Sequence, residues 1–263
     1  IGEQQTLHLP PLLELEAQLE QWAAESIPSL VVLASGDPLY YGIGRWFGRR
    51  FSAAQLSFYP AVSSIQAACH RLGLSLQDVE VLSLHGRPLE KIRTQLKRNR
   101  TLVILTDKHS TPQVLAQECI AAGFPESELI VCEALGYSHE KVTAYTADLL
   151  EDSDLEFDPL HVTVIQVRGD GGILPEFPGI PDERFVTDKP DGKGMLTKRE
   201  VRLAILSLMQ VSKGDRVWDI GAGCGGVAVE LSYWNPDSQI YAVEHHPDRL
   251  ICLQQNRDRF GVV

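Results

Sequence analysis

The sequence of 263 residues is poor in features that mark several classes of protein. It has no apolar run long enough to cross a membrane and no signal-peptide pattern, so we expect no membrane association. Its five cysteines are widely spaced without a C-x-x-C pair, and its eight histidines form no H-E-x-x-H pattern. We therefore expect reduced thiols in a cytoplasmic protein and no bound metal.

Positive charge is also scarce. Lysine and arginine number 24 against 35 aspartates and glutamates, which gives a formal net charge of −11. Because affinity for DNA or RNA requires a basic face, this balance disfavours a nucleic-acid partner. Apolar residues make up 44% of the chain and charged residues 22%, as in ordinary globular proteins. The length allows two domains.

The most informative segment is a strand–turn–helix–strand unit near the end of the sequence. Its parts are a strand at 216–220, the turn W-D-I-G-A-G-C-G-G at 218–226, a helix at 227–234 and a strand at 239–243. Glycines let the backbone approach a ligand closely, and Glu244 follows the second strand, where an acid accepts hydrogen bonds from ribose hydroxyls. The unit therefore predicts a nucleoside-binding site.

Asp219 distinguishes between two kinds of nucleoside. Gly221, Gly223 and Gly226 also satisfy the dinucleotide pattern G-x-G-x-x-G, so a dehydrogenase that uses NAD is one interpretation. A dinucleotide places its anionic pyrophosphate at this turn, and a carboxylate there would oppose it. S-adenosylmethionine brings an ammonium and a sulfonium, which a carboxylate attracts. The pattern favours the methyl donor, and a turn without any ligand is the remaining alternative.

Strand-like and helix-like stretches alternate before this unit, which predicts an α/β fold. The predicted strands are 30–33, 79–84, 101–105, 129–132 and 161–167, and the predicted helices are 39–50, 62–72, 88–97, 112–122 and 198–209. Glycine and proline punctuate residues 169–194, which predicts a linker between a domain at 1–168 and a second domain at 195–263. One βαβ unit and a half cannot close a parallel-sheet core, so we expect a fragment of a longer protein.

Four further motifs carry a resemblance. They are S-G-D-P-L-Y-Y-G at 35–42, P-A-V-S-S-I-Q-A-A at 60–68, L-T-D at 105–107 and E-A-L-G-Y at 133–137. In this order and spacing they resemble the tetrapyrrole methylases of cobalamin biosynthesis. The run L-T-K-R-E-V-R at 196–202 before the glycine turn resembles the members in which two methyltransferase domains are fused. The resemblance implies a tetrapyrrole-methylase-like α/β domain followed by a Rossmann-like methyltransferase domain, both incomplete in this chain.

The resemblance also implies a function. Methyl groups would pass from S-adenosyl-L-methionine to carbon 5 and carbon 15 of a precorrin, with loss of carbon dioxide from a ring acetate. The substrate would be a small tetrapyrrole polycarboxylate, and the protein would be a homo-oligomer. The candidate donor-binding residues are Gly36, Asp37, Pro38, Ser63, Ser64, Thr106 and Asp107 in the first domain, and Thr197, Asp219, Gly221, Gly223, Gly225 and Glu244 in the second. Helix capping is an alternative role for Ser63, Ser64 and Thr197, and no catalytic acid or base declares itself.

Two groups of cations could pair with the carboxylates of such a substrate. They are Arg87, Lys91, Arg93, Lys97, Arg98 and Arg100 in one segment, and Lys189, Lys193, Lys198, Arg199 and Arg202 in another. A solvated helix face is the alternative for the first group. Two other functions stay open at this point: a methyltransferase that acts on RNA or protein, and a nucleoside-binding regulatory module.

Overall fold

The computed structural model describes residues 8–24, 29–190 and 194–262, which fall into two compact units, 1–61 and 62–263. Within them, no helix is long and apolar enough to cross a membrane. The helices are α1 (Leu12–Ala24), α2 (Gly44–Gly48), α3 (Ser64–Leu72), α4 (Pro112–Ala121), α5 (Ala147–Leu150), α6 (Arg199–Met209), α7 (Gly226–Trp234) and α8 (Pro247–Arg259). The strands are β1 (Glu80–Ser83), β2 (Thr101–Leu105), β3 (Glu128–Glu133), β4 (Lys141–Thr146), β5 (His161–Gln166), β6 (Arg216–Ile220) and β7 (Gln239–Val243). The predicted α/β class is confirmed.

The first unit carries α1, α2 and the S-G-D-P loop. Asp37 shapes this loop, because its Oδ1 accepts hydrogen bonds from the backbone N–H of Leu39 (2.8 Å) and Tyr40 (3.0 Å). The loop then folds back, and the carbonyl of Pro38 accepts the N–H of Gly44 at 2.7 Å. A Cβ at Gly44 would lie 2.5 Å from that carbonyl oxygen, so the turn requires glycine. This tight loop takes residues 39–43 of the helix predicted at 39–50, and of that helix only α2 forms.

The strand predicted at residues 30–33 is wrong, because the structure places no regular element there. The side chains of Val31 and Leu33 are 85% and 87% exposed. A strand needs a neighbour to receive its backbone N–H and C=O groups. Neither sheet formed by the described residues includes this segment. Apolar, β-branched composition alone is therefore insufficient to make a strand.

The first half of the second unit (residues 62–168) is built on a five-stranded sheet in the order β1-β2-β5-β3-β4. Strands β1 and β2 are parallel, and the other neighbours are antiparallel. Successive residues of β2 face opposite sides, so Val103 joins the buried cluster under α3 while Ile104 joins the cluster under α4 and α5. The strands predicted at 79–84, 101–105, 129–132 and 161–167 are confirmed, as are the helices at 62–72 and 112–122.

The helix predicted at 88–97 is wrong, because the structure has only a short 3-10 turn, Leu89–Ile92. Two physical features oppose an α-helix here. The hydroxyl of Thr94 donates to the carbonyl of Lys91 (3.2 Å), which is a local alternative to helical hydrogen bonding. Arg93 and Lys97 stand four residues apart, where like charges on one helix face repel each other.

The second half of the second unit (residues 195–262) contains α6, the parallel pair β6–β7, α7 and α8. The predicted strands at 216–220 and 239–243 and the helices at 198–209 and 227–234 are confirmed. Residues 169–190, which we call the strap, join the two halves. The strap is packed rather than loose: Ile180 is fully buried and Phe185 nearly so, in a cluster with Val229 of α7 and Phe260.

Candidate functional site

The glycine turn between β6 and α7 has a backbone that only glycine adopts readily. Gly221, Gly223 and Gly225 have φ angles of 79°, 59° and 86°, in the left-handed region that side chains disfavour. The N–H groups of Gly221 and Ala222 donate to the carbonyl of Val243 at 2.9 and 3.0 Å. These two hydrogen bonds therefore hold the turn against the end of β7, and the main chain forms the predicted glycine turn.

Asp219 lies beneath this turn with half of its carboxylate unsatisfied. One carboxylate oxygen accepts the backbone N–H of Ala228 in the first turn of α7. The pKa of the carboxyl group is raised, and burial is the largest cause of that shift. The Oδ2 atom is buried and has no hydrogen-bond partner among the described residues. A buried acceptor without a partner lowers the stability of the folded protein. Such an acceptor is suited to a hydrogen-bond donor on a ligand.

Glu244 joins the end of β7 to the turn. Its Oε2 accepts the N–H of Gly223 at 2.8 Å, and its Oε1 accepts those of His245 (2.9 Å) and His246 (2.8 Å). These bonds, that from His246 first, lower the pKa of the carboxyl group. The three bonds hold Glu244 as a carboxylate that faces the glycine turn, although its side chain is only 3% exposed.

A loop from the strap and the start of α6 covers the same turn. The carbonyl of Met195 accepts the N–H of Cys224 at 2.9 Å, and a Cβ at Gly223 would overlap that carbonyl oxygen. Thr197, two residues further on, is exposed, and the N-cap of α6 is Lys198, so the capping alternative for Thr197 is wrong. The structure therefore brings Thr197, the glycines, Asp219 and Glu244 into one region.

Asp188 of the strap is a residue of this region that the sequence did not indicate. Its Oδ1 accepts the N–H of Met195 (2.8 Å), and its Oδ2 accepts Nε of Arg249 on α8 (2.9 Å). These bonds, that from Met195 first, lower its pKa to about 2. Its partner Arg249 lies 61 residues away in sequence, and no local pattern announces such a pairing.

In the first half, Ser63 has a structural role. Its Oγ accepts the N–H of Gln66 (3.2 Å), and Gln66 Oε1 accepts the N–H of Ser63 (2.9 Å), which is a capping box at the start of α3. The capping alternative is therefore confirmed for Ser63. Ser64 follows as the first helical residue with an exposed side chain.

Thr106 and Asp107 follow β2 and are engaged differently. Thr106 Oγ1 lies 3.0 Å from Nε2 of His161, whose Nδ1 lies 2.7 Å from the carbonyl of Asp158. That carbonyl can only accept, so Nδ1 carries a proton. Thr106 Oγ1 also donates to the carbonyl of His161 at 3.3 Å. Asp107 accepts the backbone N–H groups of Gly86 (2.9 Å) and His109 (2.9 Å), which lower its pKa to about 2. Asp107 thus joins two loops, and His161, which sequence reasoning missed, orients Thr106.

The remaining candidates, Gly36, Asp37 and Pro38, belong to the first compact unit. Gly36 has a φ of 68°, and Asp37 and Pro38 form the folded loop described above.

Several of the candidate cations form ion pairs within the chain. Arg202 is fully buried and pairs with Glu230 (2.7 Å) and Asp182 (2.7 Å), so it is not available to a substrate. Arg93 pairs with Glu118, Arg98 with Asp170, Arg100 with Glu80 and Lys198 with Asp182.

Comparisons with known proteins assign two family models to the chain. The model of Tetrapyrrole (Corrin/Porphyrin) Methylases matches residues 5–151, and the model of the Precorrin methyltransferase domain matches residues 188–263. The precorrin-6Y C(5,15)-methyltransferase [decarboxylating] of Sinorhizobium sp is 38% identical over 253 residues, which are 95% of this chain and 60% of the relative.

Two other relatives match shorter stretches. A cobalt-precorrin-7 C(5)-methyltransferase of Salmonella typhimurium is 33% identical over 129 residues, 49% of this chain and 63% of the relative. A probable cobalt-precorrin-6B C(15)-methyltransferase (decarboxylating) of Saccharolobus solfataricus is 36% identical over 87 residues, 33% of this chain and 42% of the relative. The chain thus spans about 60% of the length of the relative that it matches almost from end to end.

Proposed function

The chain belongs to the tetrapyrrole (corrin/porphyrin) methylase family, and we propose that it is part of an enzyme that methylates precorrin-6Y at carbon 5 and carbon 15. S-adenosyl-L-methionine is the proposed methyl donor, and the carboxylate of a ring acetate leaves as carbon dioxide. The relative that is 38% identical to this chain over 253 residues is named for this reaction. The structural observation that carries the proposal is the unpartnered buried oxygen of Asp219 under a glycine turn that also holds Glu244.

The residues of this turn fit S-adenosylmethionine better than a dinucleotide. The carboxylate of Asp219 would oppose a pyrophosphate, whereas an ammonium can donate to its free Oδ2. A Cβ at Gly221 would meet no atom within 4 Å, so a ligand can approach the backbone there, whereas Met195 and Leu253 take the space beside Gly223 and Gly225. Glu244, held as a carboxylate by three backbone N–H groups, can accept further hydrogen bonds from ribose hydroxyls.

Methyl transfer requires of the protein mainly alignment and the exclusion of water. The donor supplies an electrophilic methyl group on a sulfonium. In this proposal Asp219 orients the methionine part, Glu244 fixes the ribose, and Thr197 reaches the donor from the start of α6. Asp188 keeps the loop at Met195 against the turn through its bond to the Met195 N–H.

The first half is proposed to use a second donor site for carbon 5. Ser63 and Asp107 already satisfy backbone N–H groups, so we assign them to shaping their loops. Ser64 is exposed, and Thr106 retains lone pairs because its proton is given to His161. We therefore assign contact with the donor in this half to Ser64 and Thr106. Donor contact through the backbone of Gly36, Asp37 and Pro38 stays a separate prediction for the first unit. A homo-oligomer remains part of this proposal.

The proposal is tested by incubating the full-length enzyme of which this chain is part with precorrin-6Y and S-adenosylmethionine and measuring the mass of the product by mass spectrometry. A gain of two methyl groups with loss of one carbon dioxide is expected. Glu244→Gln should abolish the decarboxylating methylation and leave the other, Asp37→Asn should do the reverse, and Asp237→Asn, at an exposed site, should change neither. Unmodified precorrin with the wild-type protein would refute the proposed reaction.

A further inference from the structure

We propose that the two halves of the second unit are docked as one cooperative body through a surface centred on Arg93. The surface comprises residues 88–97 of the first half and the end of α8 in the second half. Its partner is thus a segment of the same chain. The inference concerns physical coupling between the halves and does not rest on the proposed function.

Arg93 makes contacts on both sides. Its Nε and Nη2 donate to the carboxylate of Glu118 on α4 at 2.6 and 2.8 Å, and its Nη1 donates to the carbonyl of Asp258 at 2.6 Å. Carbonyl groups at a helix C-terminus lack helical partners and carry the negative end of the helix dipole. A guanidinium is suited to this place, because its planar fork binds a carboxylate in two positions and still has a donor for the carbonyl.

Gly261 lies at the same point with no room for a side chain. Its φ is 67°, and a Cβ there would overlap the carbonyl oxygen of Glu90 and lie 3.0 Å from Cβ of Arg93. The N–H of Gly261 donates to the Asp258 carbonyl at 3.1 Å, the group that also receives Arg93. Backbone of the two halves is therefore in direct contact, which a loosely linked pair of domains would not show.

The strap and a lysine extend the contact. Ile173 of the strap donates to the carbonyl of Ala122 at 2.8 Å, while the N–H of Ile180 donates to Glu230 of α7 at 2.9 Å. Lys97 lies over the rings of Tyr233 and Trp234, with Nζ 5.7 Å from each centroid. The segment whose charges suggested substrate binding thus faces the second half.

The test is hydrogen–deuterium exchange on the full chain, read at amides near the contact and in the strap. Gly261→Ala is compared with Gly214→Ala, which has a φ of 87° but no atom within 4 Å of the added Cβ. Both variants therefore carry left-handed backbone strain, and only the first meets the other half. Arg93→Lys is compared with Arg71→Lys, since Arg71 pairs with Glu140 inside the first half.

Gly261→Ala and Arg93→Lys should increase the exchange rate of the Arg93, Ile173 and Gly261 amides about tenfold or more, the effect of losing one charge-assisted hydrogen bond. They should also split a single calorimetric transition into two. The control variants should do neither. If Gly261→Ala fails to fold, Arg93→Lys decides alone. The proposal would be overturned if both test variants had the same amide exchange rates as their controls and still unfolded in one calorimetric transition.

Discussion

Asp219→Asn should separate ligand affinity from stability at the proposed donor site. The amide retains an oxygen that can accept the N–H of Ala228, and it replaces an ionisable group whose Oδ2 is buried without a partner among the described residues. Because the amide is neutral, it avoids the penalty of burying a charge, which is the largest cause of the raised pKa of the carboxyl group. Without bound ligand, Asp219→Asn should therefore be at least as stable at neutral pH as the wild type.

The pH dependence has a definite sign. The pKa of Asp219 is raised in the folded chain, so the folded state binds this proton more tightly than the unfolded state does. That stabilisation is present at low pH and is lost as pH rises through the folded pKa. Urea unfolding across this range should show the wild type losing stability relative to Asp219→Asn.

Binding should change in the opposite direction. A hydrogen bond to a charged group contributes about 1.5–3 kcal/mol, so the dissociation constant for S-adenosylhomocysteine should rise roughly 10- to 150-fold in Asp219→Asn. Isothermal calorimetry measures this, with Asp237→Asn as the control at an exposed site. Unchanged affinity for S-adenosylhomocysteine, or a variant less stable than the wild type at neutral pH, would refute the role given to this carboxylate.

Three further predictions concern the same region. Gly223→Ala should lower the free energy of unfolding by about 1–3 kcal/mol, because a left-handed φ and a steric overlap act together; chemical denaturation should show a smaller loss for Gly214→Ala, where only the strain is present. Arg202→Met should lower the free energy of unfolding by about 3–5 kcal/mol, because it leaves Glu230 buried and unpaired. Adding Glu230→Leu should restore much of the lost stability. A double variant no more stable than Arg202→Met would argue against the ion pair. Asp188→Asn should remove a stabilisation that is present above the normal aspartate pKa and lost as pH falls toward about 2. The two proteins should therefore differ in the pH at which acid unfolding, monitored by circular dichroism, begins. Acid unfolding that begins at the same pH in both proteins would contradict a stabilising role for this ion pair.

Local patterns were sufficient for the glycine turn. Asp219, the glycines and Glu244 lie within 26 residues of one another, and the period-two and helical stretches around them fix which side of each element they occupy. The unit was therefore predicted with its correct strands and helix. Its hydrogen bonds from Gly221 and Ala222 to Val243 follow from a strand and a turn that are neighbours in sequence.

Elements that depend on distant partners could not be predicted in this way. Residues 30–33 have strand composition but no neighbouring strand in the described part of the chain. In contrast, β4 forms at a sheet edge from alternating polar and apolar residues without a long apolar run. The ion pairs of Arg202 with Glu230 and Asp188 with Arg249 join segments 28 and 61 residues apart. Only the folded arrangement shows that Arg202 is structural and that Asp188 holds the loop over the turn.

Parallel calorimetric titrations of the chain with S-adenosylhomocysteine and with NADH test the central claim most directly. We predict that S-adenosylhomocysteine binds, that NADH does not, and that Glu244→Gln weakens the first interaction while Asp237→Asn leaves it unchanged. Binding of NADH together with no binding of S-adenosylhomocysteine would contradict the assignment of the glycine turn to a methyl donor.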